Sequence, residues 1–322
     1  MLHDYIESLI LSKFNFSPTN HQKEAIKRIA LFLSPANLTN VFILKGYAGT
    51  GKTTLASAII SSLYSLKIEF ILLAPTGRAA KNFSSITNKP AWTIHKKIYT
   101  ISKNTNSFRE KFELQINTHS NTLFIIDEAS LINDAEDESN TNPLLSDVIE
   151  YVFSGNNCKI IFIGDNAQLP PVGYTESPAL NLEYITKKYL LECDETSLKE
   201  VVRQKEFSGI LHNLTILRTH IVTKNSEYPK LNIQNYYDIF MIDGNDLVDA
   251  ITSSYNEVGI EQTIVITRTN KRTVQYNLGI RNRVFDRNED LLKGEIIMIV
   301  KNNYYWTSNE DVPIDFIANG EQ

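Results

Sequence analysis

Residues 46–54, GYAGTGKTT, constrain this chain more than any other stretch. They follow a short β-rich run, NVFILKG, and precede TTLASAIISSLYSL, whose apolar residues recur at helical spacing. The pattern G-x-x-x-x-G-K-[ST] set between a strand and a helix is a phosphate-binding loop. Gly46, Gly49 and Gly51 let the backbone wrap closely round phosphate without Cβ clashes. The loop N–H groups, from Ala48 and Thr50 to Thr54, then face the anion at the helix N-terminus. Lys52 is expected to reach the β- and γ-phosphates. Thr53 is expected to bind Mg²⁺ through its hydroxyl, so ATP with Mg²⁺ is the implied ligand.

The rest of the chain supplies a sheet for this loop. EFILLAPTG, NTLFIIDEAS and CKIIFIGD read as buried strands, with helical segments such as TNHQKEAIKRIALFL and RAAKNFSS between or before them. Strands alternating with helices predict an α/β fold with a parallel, doubly wound sheet. With 322 residues, 42% of them apolar, the chain can bury a real core.

LFIIDEAS provides the chemical partner of the loop. Asp127 falls at the C-terminal end of its strand, where ligands of parallel sheets collect, and is expected to hold the Mg²⁺. Glu128 is then placed to orient and deprotonate an attacking water. Two carboxylates after an apolar run can also be a strand end meeting solvent; the phosphate loop upstream gives them the catalytic reading.

Charge is distributed unevenly. Residues 1–120 carry 15 Lys and Arg against 6 Asp and Glu, whereas the remainder carries 17 against 31, giving a net charge of −5. The first part is suited to a polyanion. No apolar run approaches the ~18 residues of a membrane span. The N-terminus, with Asp4 and Glu7, lacks the basic start of a secretory signal. Cys158 and Cys193 are the only cysteines, too few for a disulfide framework or a zinc site. A reducing, cytoplasmic setting is expected.

APTGRAAKNF, TIHKKI, DEASLI, GDNAQLPPVG and LKEVVRQ follow the phosphate loop in this order. The set resembles the ordered motifs of superfamily-one helicases, and most closely the RecD/Dda-like branch, which moves 5′→3′ on single-stranded DNA. The likeness runs from about residue 16 to 205 and continues more weakly to 320. It implies a P-loop NTPase, a DNA-stimulated ATPase, built of two RecA-like lobes. Residues 1–190 would form the first lobe, and 191–322 an incomplete second, with YYDIFMI, QTIVITR and GEIIMIVKN as its strands.

The resemblance also implies roles for particular residues. Gln22 stands where the family has its adenine-reading glutamine. Pro75, Thr76, Gly77 and Arg78 match one DNA-contacting motif, and Thr93 and His95 the next. Trp92 is either core or a base platform. Residues 100–120 correspond to a small pin that splits duplex, and Phe108 and Phe112 are candidates either for its wedge or for packing the insert. Gln168 would sense the γ-phosphate, on a loop beginning at Asp165 and stiffened by Pro170 and Pro171. Arg203 would be the arginine finger. Residues 133–143, NDAEDESNTNP, read as a solvated acidic loop. No HKxQG-like motif follows FIANGE, so truncation, weak ATPase and little unwinding of a 5′-tailed duplex are expected of this chain alone.

Overall fold

The computed structural model describes residues 2–14, 16–102, 111–135, 143–200, 208–223, 227–289 and 291–297. The described residues fall into two compact units, the first up to residue 200 and the second from 208 to 297.

In the first unit, helices α1 (Leu2–Ser12) and α2 (Asn20–Phe32) lead into strand β1 (Val41–Gly46) and helix α3 (Lys52–Leu66). Strand β2 (Phe70–Ala74), helix α4 (Gly77–Thr87), strand β3 (Ala91–Thr93) and the short helix α5 (Ile94–Ile98) follow. Strands β4 (Tyr99–Ser102) and β5 (Lys111–Leu114) form an antiparallel hairpin in register Tyr99↔Leu114. Then come β6 (Leu123–Ile126), α6 (Leu144–Ser154), β7 (Lys159–Gly164), α7 (Leu182–Tyr189) and β8 (Cys193–Leu198).

Six strands make one wholly parallel sheet in the order β3-β2-β6-β7-β1-β8. Successive residues of β1 point to opposite faces. Phe42 and Leu44 enter a core with Ile6, Ile26, Leu55 and Ile59 of α1–α3, whereas Val41 and Ile43 enter one with Ile98, Val148 and Ile185 of α5–α7. Burial on both faces explains why β1, β6 and β7 read as unbroken apolar runs.

The first unit continues past the expected lobe boundary near residue 190. CDETSL looks too polar for a strand, yet as β8 it pairs along all of β1. It is an edge strand, and its charges are matched: Asp194 pairs with Arg28, and Glu195 lies 2.6 Å from Lys45. Thr196 and Leu198 turn inward. The acidic loop is corrected in part. Asp134 is buried, and 136–142 lie outside the described residues.

The second unit contains helices α8 (Gly209–Thr223), α9 (Leu247–Glu257) and α10 (Asn270–Arg283). Asp238 anchors the start of α8, accepting from Gly209 N–H at 2.7 Å and the Ser208 hydroxyl at 2.5 Å. Among the described residues of this unit YYDIFMI and QTIVITR form no strands. Ile264 and Ile266 are more than four-fifths exposed. An apolar alternation becomes a strand only where another backbone supplies hydrogen bonds, and the described residues supply none. GEIIMIVKN forms no strand over its described part, Gly294–Ile297.

Candidate functional site

Gly49 and Gly51 adopt φ of 79° and 82°, which lets the loop turn from β1 into α3. Gly51 is the N-cap of α3 and brings no capping side chain, whereas Thr19, Thr76, Thr93 and Asn181 cap the helices around it. Gly51 therefore places no side chain over the first turn of α3, the end of a helix at which anions bind. At Gly46, a Cβ would come within 2.8 Å of the Thr50 hydroxyl and 3.0 Å of Leu198. Only glycine fits between the loop and the edge strand. The Thr50 hydroxyl donates to Tyr47 O at 2.7 Å and closes the loop on itself.

Lys52 Nζ donates to Gly46 O at 2.5 Å and Tyr47 O at 3.1 Å, and lies 3.8 Å from Asp165 Oδ2. These contacts hold the ammonium at the mouth of the loop. Thr53 and Thr54 follow in the first turn of α3.

Asp127 directly follows β6, and its N–H donates to Leu73 O of β2 at 3.0 Å. Burial pushes its carboxyl up to about 6, aided by the neighbouring Glu128 charge and opposed by a backbone hydrogen bond and Lys52. Glu128 sits at φ 53°, in the left-handed region, and leads a 3-10 turn at Ala129–Leu131. A non-glycine residue held there is strained, and the strain turns the chain sharply away from the strand end.

That turn is pinned from two sides. The Ser130 hydroxyl donates to Gln168 Oε1 at 2.7 Å, and the Ser177 hydroxyl donates to Ala129 O at 3.1 Å. Asp165 shapes the loop that carries Gln168: its Oδ1 accepts from Ala167 N–H at 2.8 Å and its carbonyl from Gln168 N–H at 3.1 Å. Lys52, Asp165 and, through Ser130, Gln168 and the carboxylate turn are therefore brought together at the C-terminal ends of β1, β7 and β6. Thr53 and Asp127 offer hard oxygen donors suited to Mg²⁺. Among the described residues no cluster of three His, Cys, Asp or Glu could hold a metal ion.

Gln22 is buried against the loop, and its amide is already engaged. Oε1 accepts from Thr19 N–H and Nε2 donates to Thr50 O, both at 2.9 Å. It is the N3 residue of a capping box on α2. Beside it lies a cavity of about 260 Å³ lined by Phe14, Phe16, Ser17, Gln22, Gly49, Gly51 and Thr54. The two phenylalanines escaped the sequence reading. A Phe-x-Phe ahead of an N-cap threonine was the signal available.

The residues expected to contact DNA cluster on the other half of the same sheet edge. Adjacent strands β2 and β3 pair Ala74 with Thr93, so Pro75 and Thr76 leave the sheet beside Thr93. Thr76 is exposed, and its oxygen accepts from Ala79 N–H at 3.2 Å, leaving the O–H to donate outward. Arg78 is exposed. Thr93 is 1% exposed and caps α5, its oxygen accepting from Lys96 N–H at 3.2 Å. His95 is partly buried with its ring 5.6 Å from Tyr99. Burial lowers its pKa, and Asp147 opposes the shift. Trp92 is half-buried under the Lys97 ammonium, 5.8 Å from its ring centroid. Arg203, Phe108 and the side chain of Phe112 lie outside the described residues.

A family model described as AAA domain matches residues 18–225. The ATP-dependent DNA helicase dda of Enterobacteria phage T4 is 28% identical over 264 residues, covering 80% of this chain and 55% of that protein. The ATP-dependent RecD2 DNA helicase of Deinococcus radiodurans is 32% identical over 130 residues, 40% of this chain and 16% of that protein. The crystal structure of the Pif1 helicase from Candida albicans superposes with a TM-score of 0.46 at 18% identity, covering 94% of this chain and 63% of that one. The chain spans little more than half the length of the first of these relatives.

Proposed function

Since this chain belongs to the AAA-domain family, with a match that covers residues 18–225, we propose that it is an ATP-dependent DNA translocase of the RecD/Dda-like kind, moving 5′→3′ on single-stranded DNA. One observation carries the reading. The carboxylate turn that would act on water is tied through Ser130 to Gln168, on the loop whose Asp165 also faces Lys52.

The loop amides and Lys52 hold the β- and γ-phosphates. Glu128 accepts a proton from water as the water oxygen bonds to the γ-phosphorus. The bond from that phosphorus to the bridging oxygen breaks, and ADP leaves with the electron pair. Thr53 and Asp127 would hold the magnesium ion, which offsets charge on the phosphate oxygens. Gln168 follows the turn as phosphate departs, and Arg203 supplies a further positive charge to the γ-phosphoryl. Gln22 has one amide N–H left for the base, and Phe14 and Phe16 offer aromatic walls.

Thr76 and Arg78 hold the strand by its phosphates, with His95 beside them. A duplex with a 5′ tail is the substrate on which such movement would show as unwinding. The test is ATPase rate with and without a single-stranded DNA oligomer. Stimulation lost in Glu128→Gln supports the reading, and a wild-type rate indifferent to DNA overturns it. An RNA oligomer of the same sequence that stimulates more strongly would reassign the strand. Duplexes tailed at the 5′ or 3′ end test the direction.

A further inference from the structure

Helix α6 carries two polar attachments, one part-buried and one buried, on adjacent residues of its first turn. The Ser146 hydroxyl donates to Asp134 Oδ1 at 2.9 Å. Asp134 belongs to the segment leaving the carboxylate turn, and its other oxygen accepts from Tyr184, Tyr189 and Lys188. One residue further, Asp147 Oδ2 accepts from the Tyr99 hydroxyl at 2.5 Å. Tyr99 is the first residue of the hairpin and the C-cap of α5, the helix that carries His95.

The hairpin root is fastened around the same residue. Gln115 donates through its side chain to Tyr99 O and through its backbone N–H to Ile98 O, both at 2.7 Å. Asp147 is 97% shielded from solvent. Its Oδ1 has no hydrogen-bond partner among the described residues. An orphaned carboxylate oxygen is a poor choice for a helix face whose neighbours are Leu145, Val148 and Ile149. A leucine would serve packing better, so the carboxylate answers to some other requirement.

We propose that Asp147 is a positioning residue which, through the Tyr99 hydroxyl, seats the α5 helix and the hairpin root on α6, and so joins the strand-contacting surface to the segment leaving the catalytic carboxylates. The bond runs between elements 48 residues apart in sequence. With Ser146 bound to Asp134 one position earlier, α6 has one grip on each region. A shift of the carboxylate turn is passed to α5 by a helix held at both points, without relying on apolar contacts that slide. The proposal rests on the DNA-translocase reading of α5 and the hairpin.

The full chain tests it. Tyr99→Phe removes only the hydroxyl and keeps the ring. It is expected to leave the basal ATPase rate and the KM for ATP within about twofold. It should weaken binding of a fluorescent single-stranded oligomer about tenfold and abolish most of the stimulation. Asp147→Asn, which still offers Tyr99 an oxygen, is expected to retain strand binding within about threefold. Asp147→Leu should match Tyr99→Phe, and the double variant should be no worse than either. Melting temperature, followed by circular dichroism, accompanies each variant. Unchanged strand affinity and stimulation in a folded Tyr99→Phe would overturn the proposal. So would basal and stimulated rates falling in the same proportion. A wild-type chain that neither binds the oligomer nor responds to it would overturn the functional reading and this proposal with it; a responsive wild type with indifferent variants overturns this proposal alone.

Discussion

The Ser130 hydroxyl donates to Gln168 Oε1 across 2.7 Å, joining the turn that follows β6 to the loop that follows β7. Ser130 is buried and Gln168 is exposed, so the bond has one fixed end and one end free to move once released. Ser130→Ala is expected to leave ATP binding intact and to lower turnover about fivefold to tenfold, the loss of one neutral hydrogen bond in a positioning role. Gln168→Ala should do the same, and the double variant should show no further loss. Steady-state kinetics with nucleotide titration checks all three.

Asp127 predicts a pH dependence. Its carboxyl is raised to about 6, so the folded chain holds that proton more tightly than the unfolded one. The sign follows from this: the stability contributed is complete below the ordinary Asp pKa and is lost as pH rises through about 6. Asp127→Asn should therefore raise the melting temperature of the nucleotide-free chain at pH 8 and leave it unchanged at pH 4. Magnesium competes with the same proton, so Mg²⁺-dependent hydrolysis should fall as pH drops through 6, and added Mg²⁺ should shift that fall to lower pH.

Glu128 separates activity from stability. Glu128→Gln is expected to lower turnover by about 10²- to 10⁴-fold with nucleotide still bound. Glu128→Gly should lose the same activity while raising stability by roughly 1 kcal/mol, because glycine accepts a φ of 53° without a Cβ penalty. Urea unfolding beside an ATPase assay reads both. A destabilised Glu128→Gly would show that the left-handed turn carries no strain.

Asp134 predicts the opposite pH behaviour. Burial acts against its charge, but hydrogen bonds from Lys188, Tyr184, Tyr189 and Ser146 hold its carboxyl below the usual range. Its stability contribution is present above the ordinary Asp pKa and is lost as pH falls through the lowered value. Asp134→Ala should cost about 3 kcal/mol at pH 7, near the low end for a broken buried pair because Lys188 reaches water. The deficit against wild type should shrink in acid melts.

Gln22→Leu should destabilise the chain by about 1–3 kcal/mol, since Thr19 N–H and Thr50 O both lose their partner. It should also weaken nucleotide binding through the loosened loop. Equilibrium unfolding and a fluorescent-nucleotide titration check the two effects separately.

The phosphate loop, the strand ending in Asp127 and the KIIFIG strand were legible because each joins a local periodicity to a fixed chemical signature. β8 was not. Its residues are polar, and only their place along β1, some 150 residues earlier, makes them a strand. Asp134 looked like a member of a solvated acidic run, since the tyrosines and lysine that bury it lie 50 or more residues away. Thr93 also caps α5, a role that comes from opening a helix and that its motif alone does not signal. In the second unit the error ran the other way: alternation in QTIVITR signalled a strand, while pairing depends on a neighbour that the local pattern does not encode.

The strand order has a consequence for how the chain is made. β1 pairs with β7 on one side and β8 on the other, and with no strand close to it in sequence. Its first partner is synthesised about 120 residues after it, a long wait for a buried apolar strand at ribosomal speed. The glycine loop is therefore anchored late, after β2, β3 and β6 have been made. Nascent chains of graded length should acquire nucleotide protection abruptly, near the emergence of β7 and β8, and before that step the loop strand is the segment most in need of a chaperone.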